Sequence, residues 1–175
     1  MRRAIVLVLL ACLVVLDFDL AAAQAAKPEQ TFGTWTLRRE ADPMTDRDRS
    51  IVFTDSDTGG TFGVRCDGAS STEVVLALGG YFGGDDNDKV RVELRWDSDP
   101  VLPYKLWDLS TNNSAVFAPA PLVPEILAQA KKAQQRVTIR ATDPLDGDAV
   151  VHAFGLIGFT DALATLRCAS PQPPS

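Results

Sequence analysis

From Lys89 to Trp96 the chain reads KVRVELRW, with charged and apolar residues alternating over eight positions. A period of two puts one set of side chains on a core and the other in water, so the pattern predicts a half-buried strand. Asp97-Ser98-Asp99-Pro100 supplies a turn, and the chain returns as Tyr104-Lys105-Leu106-Trp107-Asp108. It crosses a polar corner, Ser110-Thr111-Asn112-Asn113, and enters Ala115-Val116-Phe117. Two of the three tryptophans lie in this stretch, and each can bury a large apolar area.

The same reading extends to both sides. Residues 32–37 place Trp35 and Leu37 at strand spacing, and 38–49 form a charged loop. Residues 50–54 and 61–66 form a hairpin around Asp55-Ser56-Asp57-Thr58-Gly59-Gly60, since glycine accepts positive φ and aspartate caps turns. In 72–78, Val74, Leu76 and Leu78 share one face while Val75 and Ala77 make the other apolar, which predicts cover on both sides. Residues 122–134 read as a helix. Pro124 lies in the first turn, Glu125 suits the positive amino-terminal end and Lys131-Lys132 the negative end. Its inner stripe is Leu122, Ile126, Gln129-Ala130 and Ala133. Strands follow at 136–142 (Val137, Ile139 and Ala141 inward) and 149–154, joined by Asp143-Pro144-Leu145-Asp146-Gly147. A short helix over 161–167 turns Leu163 and Leu166 inward and ends at Cys168. The sum is a β-rich α+β domain, an antiparallel β-sandwich or partly open barrel of six to eight strands with two short helices.

At 175 residues with 46% hydrophobic content, the chain is sized for one domain with a real core. A net charge of −6 argues against nucleic acid as a partner, because phosphate binding needs a basic surface. Residues 1–23 read as a signal peptide: Arg2 and Arg3, an apolar core over 5–16, and Ala21-Ala22-Ala23 at the cleavage site. That core is too short to span a bilayer comfortably. Leu9-Leu10-Ala11-Cys12 loosely matches a lipobox, yet cleavage there strands the apolar residues 13–20 where a polar linker is expected. The layout is therefore a leader (1–23), a lead-in (24–31), one domain (32–169) and a proline-rich tail (170–175), delivered to the periplasm or secreted, with no transmembrane segment in the mature chain. Once Cys12 leaves, Cys66 and Cys168 remain, and an exported chain with an even cysteine count invites a disulfide. Closing a loop of about a hundred residues is worth about 4–5 kcal/mol in the chain-entropy account. Two cysteines without a CxxC, plus one histidine, do not make a zinc set.

Several signals in order resemble a known family. They are the Arg65-Cys66 strand end, Glu73-Val74-Val75-Leu76, the alternating strand over 90–96, and Trp107-x-x-Ser110-Thr111-Asn112 with Ala115-Val116-Phe117. Phe154-x-Leu156-x-Gly158-Phe159-x-x-Ala162-Leu163-x-x-Leu166 then closes on Cys168. Together they resemble the periplasmic accessory proteins associated with type VI secretion, the VasI/TagO-like family, from about Trp35 to Cys168. Residues 85–88 and the turn 142–147 depart from that pattern. The resemblance implies an exported, non-enzymatic accessory or binding domain with a protein partner in the cell envelope; it brings no catalytic residues and no cofactor. The alternative is a ligand-binding or enzyme-inhibitor protein unrelated to secretion.

His152 is the one histidine. General-base work would need a hydroxyl nucleophile and an orienting carboxylate beside it. No nucleophile elbow exists in the chain, so a structural or surface role is expected. Asp85, Asp86 and Asp88 with Asn87 offer hard oxygen ligands but lack the EF-hand spacing, and Asp55-Ser56-Asp57 fits a hairpin tip. Gly79-Gly80-x-x-Gly83-Gly84 precedes an acidic run and a strand, not the helix and lysine of a phosphate loop. Between those glycines Tyr81 and Phe82 are either core or an exposed anchor for a partner. Ser110, Thr111 and Asn112 are the second candidate partner surface, with Trp107 expected in the core. Asn112-Asn113-Ser114 matches a glycosylation sequon.

Overall fold

Alternation of the kind seen in 89–96 recurs along the chain, and it folds into one antiparallel sheet of ten strands that does not close on itself. The computed structural model describes residues 29–68, 71–83 and 88–169. In chain order the strands are β1 (Gln30–Phe32), β2 (Trp35–Arg38), β3 (Ile51–Asp55), β4 (Thr61–Cys66), β5 (Thr72–Ala77) and β6 (Lys89–Trp96). They continue with β7 (Lys105–Leu109), β8 (Ala115–Phe117), β9 (Arg136–Thr142) and β10 (Ala149–Gly155). The spatial order is β1-β2-β3-β4-β5-β8-β7-β6-β9-β10. Helix α1 (Val123–Lys132) connects β8 to β9, and α2 (Phe159–Ala164) follows β10.

On β6 the alternation translates directly into burial: Val90, Val92, Leu94 and Trp96 face the core, and the charged residues between them face out or are half-buried. The strand pairs with β7 on one side and β9 on the other. On β5, Val74 and Leu76 are buried while Val75 and Ala77 are half-covered, so the outer face is less enclosed than its composition suggests.

The sheet curls until β2 and β4 meet α2 and β10 across the core. Phe62 of β4 lies 5.6 Å from Phe154 of β10, and Trp35 of β2 lies 4.8 Å from Phe159 of α2, centroid to centroid. The two edges do not pair as strands. They are joined by Thr34, whose N–H donates to Ile157 O at 3.0 Å, and by the Trp35 indole, which donates to Gly155 O at 2.9 Å. Here two glycines are required. A Cβ on Gly158 (φ 89°) would sit 2.0 Å from Phe32 O, and one on Gly33 (φ 58°) would sit 2.3 Å from Ile157 O. Cys66 ends β4 and Cys168 lies in the turn Arg167–Ala169. Their sulfurs are 2.06 Å apart, a disulfide that ties the turn Arg167–Ala169 to the sheet.

Three details differ from the sequence reading. The strand count exceeds six to eight, partly because residues 32–37 are not one strand: Gly33 turns the chain and makes β1 and β2 a hairpin. Helix α1 stops at Lys132, two residues short of 134, because the next N–H groups are taken elsewhere. Asp97, at the end of β6, accepts from Gln134, Gln135 and Arg136 at 2.8, 2.8 and 2.9 Å. Helix α2 starts at Phe159, earlier than 161, because Gly158 supplies the left-handed residue that redirects the chain. The leader 1–23 with Cys12, most of the lead-in, Asp85, Asp86 and Asn87, and the tail 170–175 lie outside the described residues. Among the described residues, no helix is long and apolar enough to cross a membrane.

Candidate functional site

Four loops meet at one place on the surface. The loop after β5 carries Tyr81 and Phe82, and consecutive residues there point opposite ways. Phe82 is 5% exposed and belongs to the core, whereas Tyr81 is 73% exposed. The Phe82 N–H donates to Asn113 O at 2.8 Å, and Asn113 Nδ2 donates to the Tyr81 hydroxyl at 3.2 Å. The loop is thus laid against the corner between β7 and β8, so the two stretches singled out in the sequence form one surface. Phe82 is the exception: as a core residue it is not available to a partner. The corner is braced from within, with Ser110 Oγ donating to Asn112 Oδ1 at 2.7 Å and the Ala115 N–H donating to Ser110 Oγ at 3.1 Å. Thr111 and Asn112 are exposed. From the other side the β9–β10 turn closes in. Asp143 Oδ2 accepts the Gly83 N–H at 2.7 Å, and Leu145, 75% exposed, packs against Gly83.

The fourth loop, between β3 and β4, is held by His152. This residue is 3% exposed, which excludes the surface role and leaves the structural one. Nε2 lies 3.1 Å from Leu78 O, and a carbonyl can only accept, so Nε2 carries the proton. Nδ1 faces Thr58 Oγ1 at 2.7 Å and Ser56 Oγ at 3.2 Å. Two hydroxyls therefore stand beside the imidazole, both from a hairpin loop rather than a nucleophile elbow. The curl of the sheet brings β10 over the β3–β4 loop, and no local spacing reports that. The orienting group is a main-chain carbonyl rather than a carboxylate, and the ring is packed on Gly60, where a Cβ would approach it to 2.6 Å. This is a cross-link between loops, with both nitrogens occupied.

A separate apolar cleft of about 130 Å³ lies between α1 and strands β6 and β7. Val92, Leu94, Trp96 and Trp107 form its floor and Ile126 of α1 its far wall, with Lys105, Glu125 and Gln129 also lining it. Trp107 is fully buried, as expected of a core residue. The indole N–H groups of Trp96 and Trp107 have no acceptor among the described residues. Val101, Leu102, Tyr104 and Leu106 are exposed, and Leu102 among them lines the cleft. No set of three or more His, Cys, Asp or Glu among the described residues is placed to hold a metal.

No protein-family model and no curated protein matches this chain. Among solved structures it is similar to the crystal structure of invasion associated protein B from Bartonella henselae. Identity is 16%, coverage is 78% of this chain and 94% of that one, and the TM-score is 0.48. A likeness at that level assigns neither family nor function.

The sequence reading missed the cleft and the exposed apolar run beside it. A signal existed for the run: Val101-Leu102 stand between Pro100 and Pro103, and Tyr104 follows, in a stretch that cannot pair as a central strand. For the cleft there was none, because its walls come from three elements that only the fold brings together.

Proposed function

We propose that this chain is an exported, non-catalytic binding domain that engages a protein partner in the cell envelope through the surface around Tyr81. One observation carries the reading: a large aromatic ring stands out in solvent on a loop whose neighbours hold it in place. Amphipathic, pre-positioned tyrosines are effective interface anchors because little conformational freedom is lost on binding. Leu145 enlarges the apolar area, and the exposed Thr111 and Asn112 give it a polar rim. The disulfide and the leader-like start support an oxidising compartment. The ordered pattern shared with VasI/TagO-like proteins points to the envelope apparatus of type VI secretion as the place where the partner is found.

The test is photo-crosslinking in the living host. A photoreactive phenylalanine analogue at position 81 or 145 is expected to trap one discrete envelope protein. The same analogue at Met44, also exposed but on another loop, is expected to trap none. Equal trapping at all three positions would remove the interface. A discrete adduct in a strain whose type VI effector release is unchanged on deletion of this chain would keep the interface and remove the secretion assignment.

A further inference from the structure

The cleft between α1 and strands β6 and β7 has an unusual rim. On β7 the inward positions alternate as Lys105, Trp107 and Leu109, so a lysine occupies a place where periodicity calls for an apolar residue. Lys105 stands opposite Val92 in the ladder, and Val92 is buried. Leu122, which caps α1, and Glu125, Ile126 and Gln129 within it are spaced i, i+3, i+4 and i+7, which is one helix face. Two of those four are polar, and that face borders the same cleft. Lys105 and Glu125 carry opposite charges on one rim, yet neither forms an ion pair among the described residues. Below them the walls are apolar. A cavity of about 150 Å³ lined by such side chains accepts benzene, and this one measures about 130 Å³.

We infer that the cleft binds a free α-amino acid with an apolar side chain of about benzyl size. The side chain fills the space between Trp96, Trp107 and Ile126. The carboxylate of the ligand accepts from the Lys105 ammonium, its ammonium donates to the Glu125 carboxylate, and Gln129 offers an amide to either. A purely apolar ligand leaves both charges unused, and a simple acid or amine leaves one. The zwitterion is the class that matches body and rim together. This site is separate from the Tyr81 surface and stands or falls independently of it.

The indole N–H resonances provide the readout, because the chain has three tryptophans and they are placed differently. Trp96 and Trp107 line the cleft, whereas the Trp35 N–H is engaged by Gly155 O. Nitrogen-15-labelled full chain from an exporting host is titrated with phenylalanine, with 3-phenylpropionate and with 2-phenylethylamine. Phenylalanine is expected to shift the Trp96 and Trp107 signals in a saturable way and to leave Trp35 unmoved. The acid and the amine, each lacking one charged contact, are expected to bind roughly tenfold more weakly. Lys105→Gln is expected to weaken phenylalanine by a similar factor while leaving the amine unchanged, and Ile126→Trp to abolish binding by filling the cavity. Lys105→Gln, at an exposed position, keeps the question answerable if Ile126→Trp does not fold. No shift at roughly 10 mM phenylalanine, well above the Kd of even a weak millimolar site, overturns the inference. So does equal binding of all three compounds, or a shift of Trp35 equal to the other two.

Discussion

Thr58 Oγ1 lies 2.7 Å from His152 Nδ1, although 94 positions separate them in the chain. That bond, with the one from His152 Nε2 to Leu78 O at 3.1 Å, holds the β3–β4 loop and the end of β5 to strand β10. Replacing His152 by Ala leaves Leu78 O without its donor and opens a gap against Gly60. We expect a loss of about 2–3 kcal/mol, read as a lower urea midpoint. Thr58→Val removes only one donor and is expected to cost about 1 kcal/mol. A His152→Ala protein of unchanged stability would mean that the imidazole is not the cross-link described above.

Cys66 and Cys168 close a span of 102 residues. Cys66→Ser with Cys168→Ser is expected to lower stability by about 2–5 kcal/mol. Native protein is expected to migrate faster on a non-reducing gel and to titrate no thiol at either position. Two free thiols in the folded protein would contradict the bond.

At Gly158 the backbone has φ 89°, and a methyl group would meet Phe32 O at 2.0 Å. Gly158→Ala must therefore move the β1–β2 turn away from the β10–α2 junction, breaking the seam between the sheet edges. A cost of about 3 kcal/mol or more is expected from the clash and the left-handed backbone together. Gly147→Ala, also at positive φ but in open space, is expected to cost about 1 kcal/mol. The difference in thermal midpoint between the two variants isolates the clash.

Asp97 accepts the N–H groups of Gln134, Arg136 and Gln135, and these bonds hold its carboxyl below the usual aspartate range. The bonds favour the charged form, so its folded value is below its unfolded one. The stability they supply is complete above the ordinary aspartate value of about 3.9 and is lost as pH falls through the lowered value. Asp42 is lowered in the same sense, chiefly by the Met44 N–H. Asp97→Asn tolerates the same positive φ of 44°. It is expected to lower the urea midpoint at neutral pH and to leave a shallower decline on acidification. An unchanged acid limb would show that Asp97 does not carry the linkage.

Tyr81→Ser is expected to leave stability within about 0.5 kcal/mol, since the ring is exposed, and to abolish the crosslink formed from position 145. Phe82→Ser, one residue on, is expected to cost about 3 kcal/mol instead. Reversed outcomes at the two positions would invert the assignment of anchor and core.

The local pattern of this chain determined which residues face inward. The alternation in 89–96 and 136–142, the turn chemistry at Gly59-Gly60, and Pro124 at the start of α1 each act over a few residues, so they were legible without the fold. The cysteine pairing was legible for a different reason: once Cys12 is assigned to the expected leader, two cysteines have one way to pair. What the local pattern does not carry is how far the sheet curls or which distant loops touch as a result. Those contacts arise when the two edges meet across the core and the aromatic rings of Trp35, Phe62, Phe154 and Phe159 pack together. His152 acquired its hydroxyl partners that way. Docking on Asn113 and Asp143 set Phe82 in the core and left Tyr81 in solvent, and the packing of α1 on the sheet brought Glu125 to the same apolar cleft as Lys105. Each depends on long-range packing, whose energy belongs to no single stretch of sequence.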